Sequence, residues 1–391
     1  MTPQLVVSEV LARHARESCF LDLMQHATLI MREPADPVPV YRLADLCQRL
    51  NDFVGCRQLS EAAFALQHRT KEQLYCRARA KIRLGDWSGW ADYEVRQFGP
   101  MFVSLQTREA RTLRWAYKAW DGKEDLRDRV LLVVAEQGYG DTIQMLRFVS
   151  DVCSRAGRVI LVVPPPLVSL TEHNLGHIAT IATKKPDSSI SIDRYVWLMS
   201  LPSLKSGLPG FTPLTAPQPA LDLKNNRDRL QVGICWTAAP GGAKDEHRSV
   251  PIDALEPLFT RADVQWCSLQ TGESVTESDA YPQVSRPIQS LDSFADTANL
   301  IAGLDCVVTV DTAVAHLAGS LGVPTLLLLN TAASWRWGLE DASPWYPSLR
   351  LVRQRQFGEW SDVVATTSAR LDQLTASPNP TGDSRRSLAG A

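Results

Sequence analysis

The stretch Leu131 to Arg147, LLVVAEQGYGDTIQMLR, constrains this chain more than any other. An apolar, β-branched run ends in Glu136 and Gln137, passes through Gly138 and Gly140, and meets Asp141 just before a helix-patterned segment. That order spells strand, tight loop, helix. Glycines there let backbone N–H groups approach a ligand at the positive end of the following helix, where anions and polar groups bind. A carboxylate would repel a phosphate in the same place. Asp141 therefore reads either as a helix cap or as a base aimed at a substrate hydroxyl.

The alternation begins after Asp121 and continues beyond this stretch. Val130–Ala135 and Arg158–Val163 read as buried strands, the second ended by Pro164-Pro165-Pro166, with residues 142–155 helical between them. Shorter apolar runs follow at Ile178–Ile181 and Tyr195–Met199, and the Pro-, Gly- and Ser-rich residues 205–219 read as a linker. Four more strands are expected at Leu230–Trp236, Val264–Leu269, Cys306–Val310 and Thr325–Leu329, with Phe294–Gly303 and Thr312–Leu321 helical between them. Such alternation builds parallel sheets with helices on their faces, so the expected class is α/β, in two units that face one another across a cleft.

Residues 1–122 are helical in pattern instead. Within them Arg49-Leu50-Asn51-Asp52-Phe53 and Arg83-Leu84-Gly85-Asp86-Trp87 match across a period of 34, the length of the tetratricopeptide helix pair. The second copy, RLGDWSGWADYEVRQFGP, places Trp90 where a small residue is usual. Such repeats bury their faces on neighbours, so they should stack on the N-terminal helix and the next domain. They read either as a concave partner site or as a helical cap on the rest. The domain division is thus a helical region at 1–122, α/β units at 123–215 and 216–374, and a polar, turn-rich tail at 375–391 expected to be disordered.

Composition excludes several classes. A formal net charge of −2 over 391 residues suggests no nucleic-acid partner. The eight cysteines, at 19, 47, 56, 76, 153, 235, 267 and 306, stand singly, which supports neither a disulfide framework nor a zinc site and reads as reduced core residues. His14, His26 and His68 lack ligand spacing, and His173 and His177, four apart, have no nearby third ligand in sequence and read as surface residues. No apolar run approaches the roughly 18–20 residues of a membrane span, and the N-terminus lacks the pattern of a secretory leader, so the chain reads as cytoplasmic, with a membrane reached only through a partner or substrate.

Two further stretches carry chemistry. In CVVTVDTAVAHLAGSLGVPT (306–325) a buried strand delivers Asp311 and Thr312 to its carboxyl end, where ligands bind in open α/β sheets. Thr312 and His316 share a helix face, and the N–H groups of Thr312 and Ala313 suit a diphosphate. The plainer alternative makes Asp311 an N-cap and His316 a satisfied polar residue. In GICWTAAPGGAKDEHRSVP (233–251) a strand opens into a loop with Gly241, Gly242, Lys244, His247 and Arg248. Fixed cations stabilise charge building on a departing diphosphate, and the planar fork of Arg248 suits phosphate better than Lys244, which reads as a solvated loop residue. The sequence contains no GxGxxG, no GxxxxGK[ST], no GxSxG and no DxD, the last arguing against a transferase that chelates its sugar nucleotide through a metal.

Together AEQGYGDTIQMLRF, GICWTAAPGGAKDEHRSVPIDAL, SLQTGE, DSFADTANLIAGLDCVVTVDTAVAHLAGSLGVPTLLLL and SWRWGLEDASPWYPSLRLVRQ resemble the tetratricopeptide-repeat glycosyltransferases related to the ADP-heptose:lipopolysaccharide heptosyltransferases of glycosyltransferase family 9. The resemblance spans roughly residues 85–364. It implies a GT-B fold, two Rossmann-like domains facing a cleft, and metal-independent, inverting transfer from a nucleotide-activated sugar, with no cofactor. On this likeness Asp141 takes the place of the general base in the acceptor loop Gln137, Gly138 and Gly140. Arg248 lies near the family's diphosphate cation, usually lysine in the heptosyltransferases. Asp311, Thr312, Ala313 and His316 match the donor block, with Ala313 where glycine is common. Thr237 falls where a hydroxyl touches phosphate, and Gln270 and Glu273 lie toward the nucleoside. The implied partners are a nucleotide-sugar donor and a protein or glycan acceptor recruited by the helical repeats. Two rivals are a tetratricopeptide-type interaction protein with an inactive GT-B part, and a sugar-nucleotide epimerase or hydrolase on the same fold.

Overall fold

The computed structural model describes residues 3–14, 20–33, 35–50, 52–66, 70–98, 113, 116–186, 190–218, 229–238, 248–286, 291–331 and 333–376. By contact they form two units, one of residues 1–110, 205–207 and 334–339 and one of the remainder.

The first unit is helical. Its helices are α1 (Pro3–Arg13), α2 (Phe20–Arg32), α3 (Pro37–Arg49), α4 (Phe53–Ala65), α5 (Lys71–Arg83) and α6 (Gly89–Tyr93). Helices α3 and α5 have 13 residues each and start 34 positions apart. The second members of the pairs differ, α4 having 13 residues and α6 five. Local chemistry places these ends. Asp36 and Asp52 accept N–H bonds at the starts of α3 and α4, and Thr70 and Gln73 close a capping box on α5. Arg77 holds Asp92 with two bonds of 2.8 and 2.6 Å, joining α5 to α6. Trp90, large where a small residue was usual, is fully buried and meets Trp335 edge-on at 5.6 Å. His14 is a packing residue, its Nε2 3.2 Å from Asp52 Oδ2. Cys19 and His68 lie outside the described residues.

The second unit holds two all-parallel sheets. Strands β1 (Leu126–Val134), β2 (Ala156–Val162), β3 (Thr180–Ala182) and β4 (Arg194–Trp197) make one, in the order β3-β2-β1-β4. Strands β5 (Leu230–Cys235), β6 (Val264–Ser268), β7 (Val284–Ser285), β8 (Cys306–Val310), β9 (Thr325–Leu329) and β10 (Leu349–Arg353) make the other, in the order β10-β9-β8-β5-β6-β7. The expected α/β class with parallel sheets is borne out. β5, β8 and β9 are buried at every position, which is why they read as unbroken apolar runs. β7 and β10 were not anticipated. β7 has only two residues, and β10, LRLVR, carries two arginines at an edge.

Helices α7 (Tyr139–Met145), α8 (Val149–Cys153), α9 (Val168–Leu175), α10 (Glu256–Phe259), α11 (Phe294–Ala302), α12 (Ala313–Ser320) and α13 (Ser361–Ala376) complete this unit. The single helix expected over 142–155 is broken by a tighter turn at Leu146–Phe148. The residues read as a linker are tied down: Thr215 bonds Asn174 and His173, Leu214 N–H donates to Ser320, and Gln218 N–H donates to Asn299. The last helix runs to Ala376, so Thr375 and Ala376 are helical, not part of a tail, and 377–391 lie outside the described residues. Among the described residues no helix is long and apolar enough to cross a membrane.

Candidate functional site

The strand orders locate the site. In the first sheet the chain runs from β1 out through β2 and β3, then returns to the other side of β1 with β4. In the second it runs from β5 out through β6 and β7, then returns to the other side of β5 with β8. Ligands bind at the carboxyl ends of strands where such an order reverses. The loops and helix starts that follow β1, β5 and β8 carry most of the candidate residues, and Gln270 and Glu273 follow β6.

The loop after β1 turns on Gln137, which has φ +69°, a left-handed conformation that is uncommon outside glycine. Glu136 beside it is buried and accepts from Met199 N–H at 3.4 Å. Gly138 then caps α7, and Asp141 Oδ2 accepts the Gly138 N–H at 3.0 Å. The cap reading of Asp141 is thus met: its half-buried carboxylate closes the start of α7 from within the first helical turn. Gly140 has a different reason to be glycine. A Cβ there would lie 2.7 Å from His316 Cδ2 and 3.4 Å from Ala313 Cα. The start of α7 therefore packs against the start of α12, and Tyr139 meets Phe294 of α11 at 5.2 Å between ring centroids.

The loop after β8 carries the donor-side candidates. Asp311 is buried, and Thr312 is the N-cap of α12, its Oγ1 accepting from Val314 N–H at 3.2 Å. Ala313 opens the helix. His316, one turn in, is buried with Nδ1 2.9 Å from Tyr346 Oη. From the loop after β5, Arg248 Nη1 donates to the Asp311 carbonyl at 3.1 Å. The cation and the donor turn, 63 residues apart in sequence, are thus in contact. Gly241, Gly242, Lys244 and His247 lie outside the described residues.

Gln270 is tied to the end of β5. Its Oε1 accepts from Trp236 N–H (3.2 Å), Thr237 N–H (3.1 Å) and the Cys235 thiol (3.3 Å), while Nε2 donates to the Thr237 and Thr271 carbonyls. It is a buried strut that shapes the loop presenting Thr237. Glu273 is exposed at the start of the short helix Glu273–Ala280, and the acid that reaches the end of β5 is Glu277, accepting from Trp236 Nε1 at 2.8 Å.

Sequence reasoning passed over Tyr346, Arg147 and Phe294. Arg147 stands just past α7, its guanidinium 5.2 Å from the Tyr346 ring centroid, 5.8 Å from Trp345 and 5.6 Å from Phe211. Burial pushes its basicity down.

Residues 291–371 match the family described as Glycosyltransferase family 9 (heptosyltransferase). Over these residues the chain is similar to glycosyltransferase family 9. The segment includes β8, the Asp311–His316 turn, Tyr346 and β10. The kinship expected from the sequence is borne out. Protein FlbA of Caulobacter vibrioides (strain ATCC 19089 / CIP 103742 / CB 15) is 26% identical over 338 residues, covering 78% of this chain and 55% of FlbA. The chain thus spans about half the length of that curated relative. Among solved structures, E. coli heptosyltransferase WaaC with ADP-2-deoxy-2-fluoro heptose is similar at a TM-score of 0.41 and 10% identity, over 62% of this chain and 99% of that one. The glycosyl transferase family 9 protein of Veillonella parvula DSM 2008 is similar at 0.43 and 9%, over 68% and 94%.

Proposed function

We propose that the protein transfers a sugar from a nucleotide-activated donor to a hydroxyl of a glycan or protein acceptor. The observation that carries this reading is the packing of the Asp311–His316 turn, inside the family 9 segment, against the glycine loop that bears Asp141. Two switch-point loops from two sheets meet there, one with a base and one with a helix start.

In the proposed reaction, on a GT-B arrangement, the acceptor hydroxyl sits against Asp141, which takes its proton as the oxygen attacks the anomeric carbon with inversion. The bond from Gly138 N–H fixes the carboxylate's orientation, so that positioning supplies part of the rate. Arg248 and the start of α12 take the charge developing on the leaving diphosphate. Its contact with the Asp311 carbonyl supports that role by holding the guanidinium at the helix start. Thr237, presented by Gln270, faces the phosphate, and Glu273 stands toward the nucleoside. The absence of any DxD pair supports a transfer without metal or other cofactor. The helical unit, of tetratricopeptide type in its 34-residue period, recruits the acceptor, and the free thiols, which include Cys56 and Cys76 at 3.4 Å from one another, support work in the cytoplasm.

Incubation with ADP-, UDP-, GDP- and CMP-sugars and a cell extract, read by mass spectrometry, tests this. The expected result is an acceptor gaining one sugar mass with release of the nucleotide, unchanged by EDTA. Free or rearranged sugar formed without acceptor would make the protein a hydrolase or epimerase instead.

A further inference from the structure

The block SWRWGLEDASPWYPSLRLVRQ carried part of the family resemblance but no assigned role. In the structure it supplies Tyr346, which is fully buried and reaches His316 Nδ1 at 2.9 Å, with the two rings edge-on at 5.8 Å. Two glycines from different elements make room for this pair. A Cβ at Gly319 of α12 would lie 2.5 Å from Tyr346 Cγ, and one at Gly140 would lie 2.7 Å from His316 Cδ2. The imidazole therefore turns its Nδ1 edge to Tyr346 and its Cδ2 edge to the glycine loop. Because Nε2 is bonded to Cδ2, it lies toward the edge of the ring that faces Gly140.

Neutral imidazole has one nitrogen that donates and one that accepts, and the bond at one nitrogen selects the role of the other. A phenol can fill either role toward Nδ1. Here the Arg147 guanidinium lies over the Tyr346 ring at 5.2 Å, and its Nη1 is buried with no hydrogen-bond partner among the described residues. A cation on the ring face draws density from the phenol and makes its O–H the better donor.

We propose that Tyr346, with Arg147 on its ring, is a positioning residue of the donor site. It donates Oη–H to His316 Nδ1 and so holds the ring as the Nε2–H tautomer, which offers a side-chain donor to a diphosphate oxygen at the start of α12. The ligand class rests on the donor reading above; the tautomer does not.

Full-length protein with 15N-labelled histidine, at pH 8, gives the first readout by long-range 1H–15N correlation, with His316→Gln assigning the signal. His316 is expected to show a bare Nδ1 and a protonated Nε2, and Tyr346→Phe, which keeps the ring, is expected to release it to a mixture of tautomers. Calorimetry with ADP, UDP and GDP gives the second. His316→Phe, which removes the donor, is expected to weaken the nucleotide that binds by about tenfold, and Tyr346→Phe by about two- to threefold, since only part of the population then carries Nε2–H, with the double variant no weaker than His316→Phe alone. A wild-type His316 protonated at Nδ1 overturns the proposal, as does a Tyr346→Phe protein with an unchanged tautomer. If no nucleotide binds while the Nε2–H signature is present, the donor reading falls and the Tyr346–His316 relation stands on the spectrum.

Discussion

Gly138 and Gly140 look alike in the sequence, and they do different work. A Cβ at Gly138 would meet only the Asp141 carboxylate, at 3.3 Å, and the backbone there is at φ −82°, open to any residue. At Gly140 it would strike the buried His316 ring. Gly140→Ala is therefore expected to cost about 1–3 kcal/mol in denaturant unfolding, and Gly138→Ala well under half of that. Asp141 combines a cap with the proposed base, and one substitution separates them. Asn can still accept the Gly138 N–H but takes no proton at neutral pH. Asp141→Asn should keep its melting temperature and lose transfer by at least about 100-fold; activity near wild type would leave the residue a cap only. Gln144 is a third case. It is fully buried on the α7 face shared with Gly140 and Arg147, and neither amide atom finds a partner among the described residues. An unpaired buried amide costs about 1–3 kcal/mol, so the isosteric Gln144→Met should raise the denaturation midpoint. A lowered midpoint would mean that a bound water pairs the amide in solution. The sequence names all of these residues; which neighbour each one faces comes only from the fold.

Elements in this protein begin where short polar signals say they should. Thr312 caps α12, Ser293 with Asp296 closes a capping box on α11, and Thr70 with Gln73 does the same on α5. The starts of α11 and α12 were legible to within a residue because the chemistry lies within three residues of sequence, although the cap of α12 is Thr312 and not Asp311. The break at Leu146–Phe148 was not legible, since nothing in QMLRFVSD disrupts helical periodicity and the tighter turn accompanies packing of Phe148 and Arg147. The loop after β5 shows the same limit. Its shape comes from Gln270, 33 residues downstream of Thr237, whose amide takes up both loop N–H groups. Gln270→Ala strands those groups and should destabilise the second unit by about 1–3 kcal/mol, while a residue that only touched the nucleoside would lower affinity and leave unfolding unchanged. Parallel unfolding and nucleotide titrations of that variant separate the two roles.

For the whole molecule, two units mean that unfolding need not be a single transition. Trp90, buried among Trp87, Tyr93 and Trp335, belongs to the first unit, and Trp90→Ala should lower that unit's transition by about 3–5 kcal/mol. A nucleoside diphosphate at 100 times its dissociation constant should raise the transition of the second unit by about 2.7 kcal/mol, and stabilisation confined to the first unit would place the ligand elsewhere. By itself the sequence determined the α/β class, the helical first part, five of the strands to within two residues, and the three stretches with chemistry in them, because apolar periodicity, caps and glycine loops are written in neighbouring residues. Tertiary structure decided what those stretches are to one another. Strand order put the loops after β5 and β8 at one switch point, the close approach at Gly140 brought the loop after β1 to them, and Tyr346 reached His316 from 30 residues away. Contacts of that range depend on how parallel strands are ordered in a sheet, and strand order leaves no trace in local sequence.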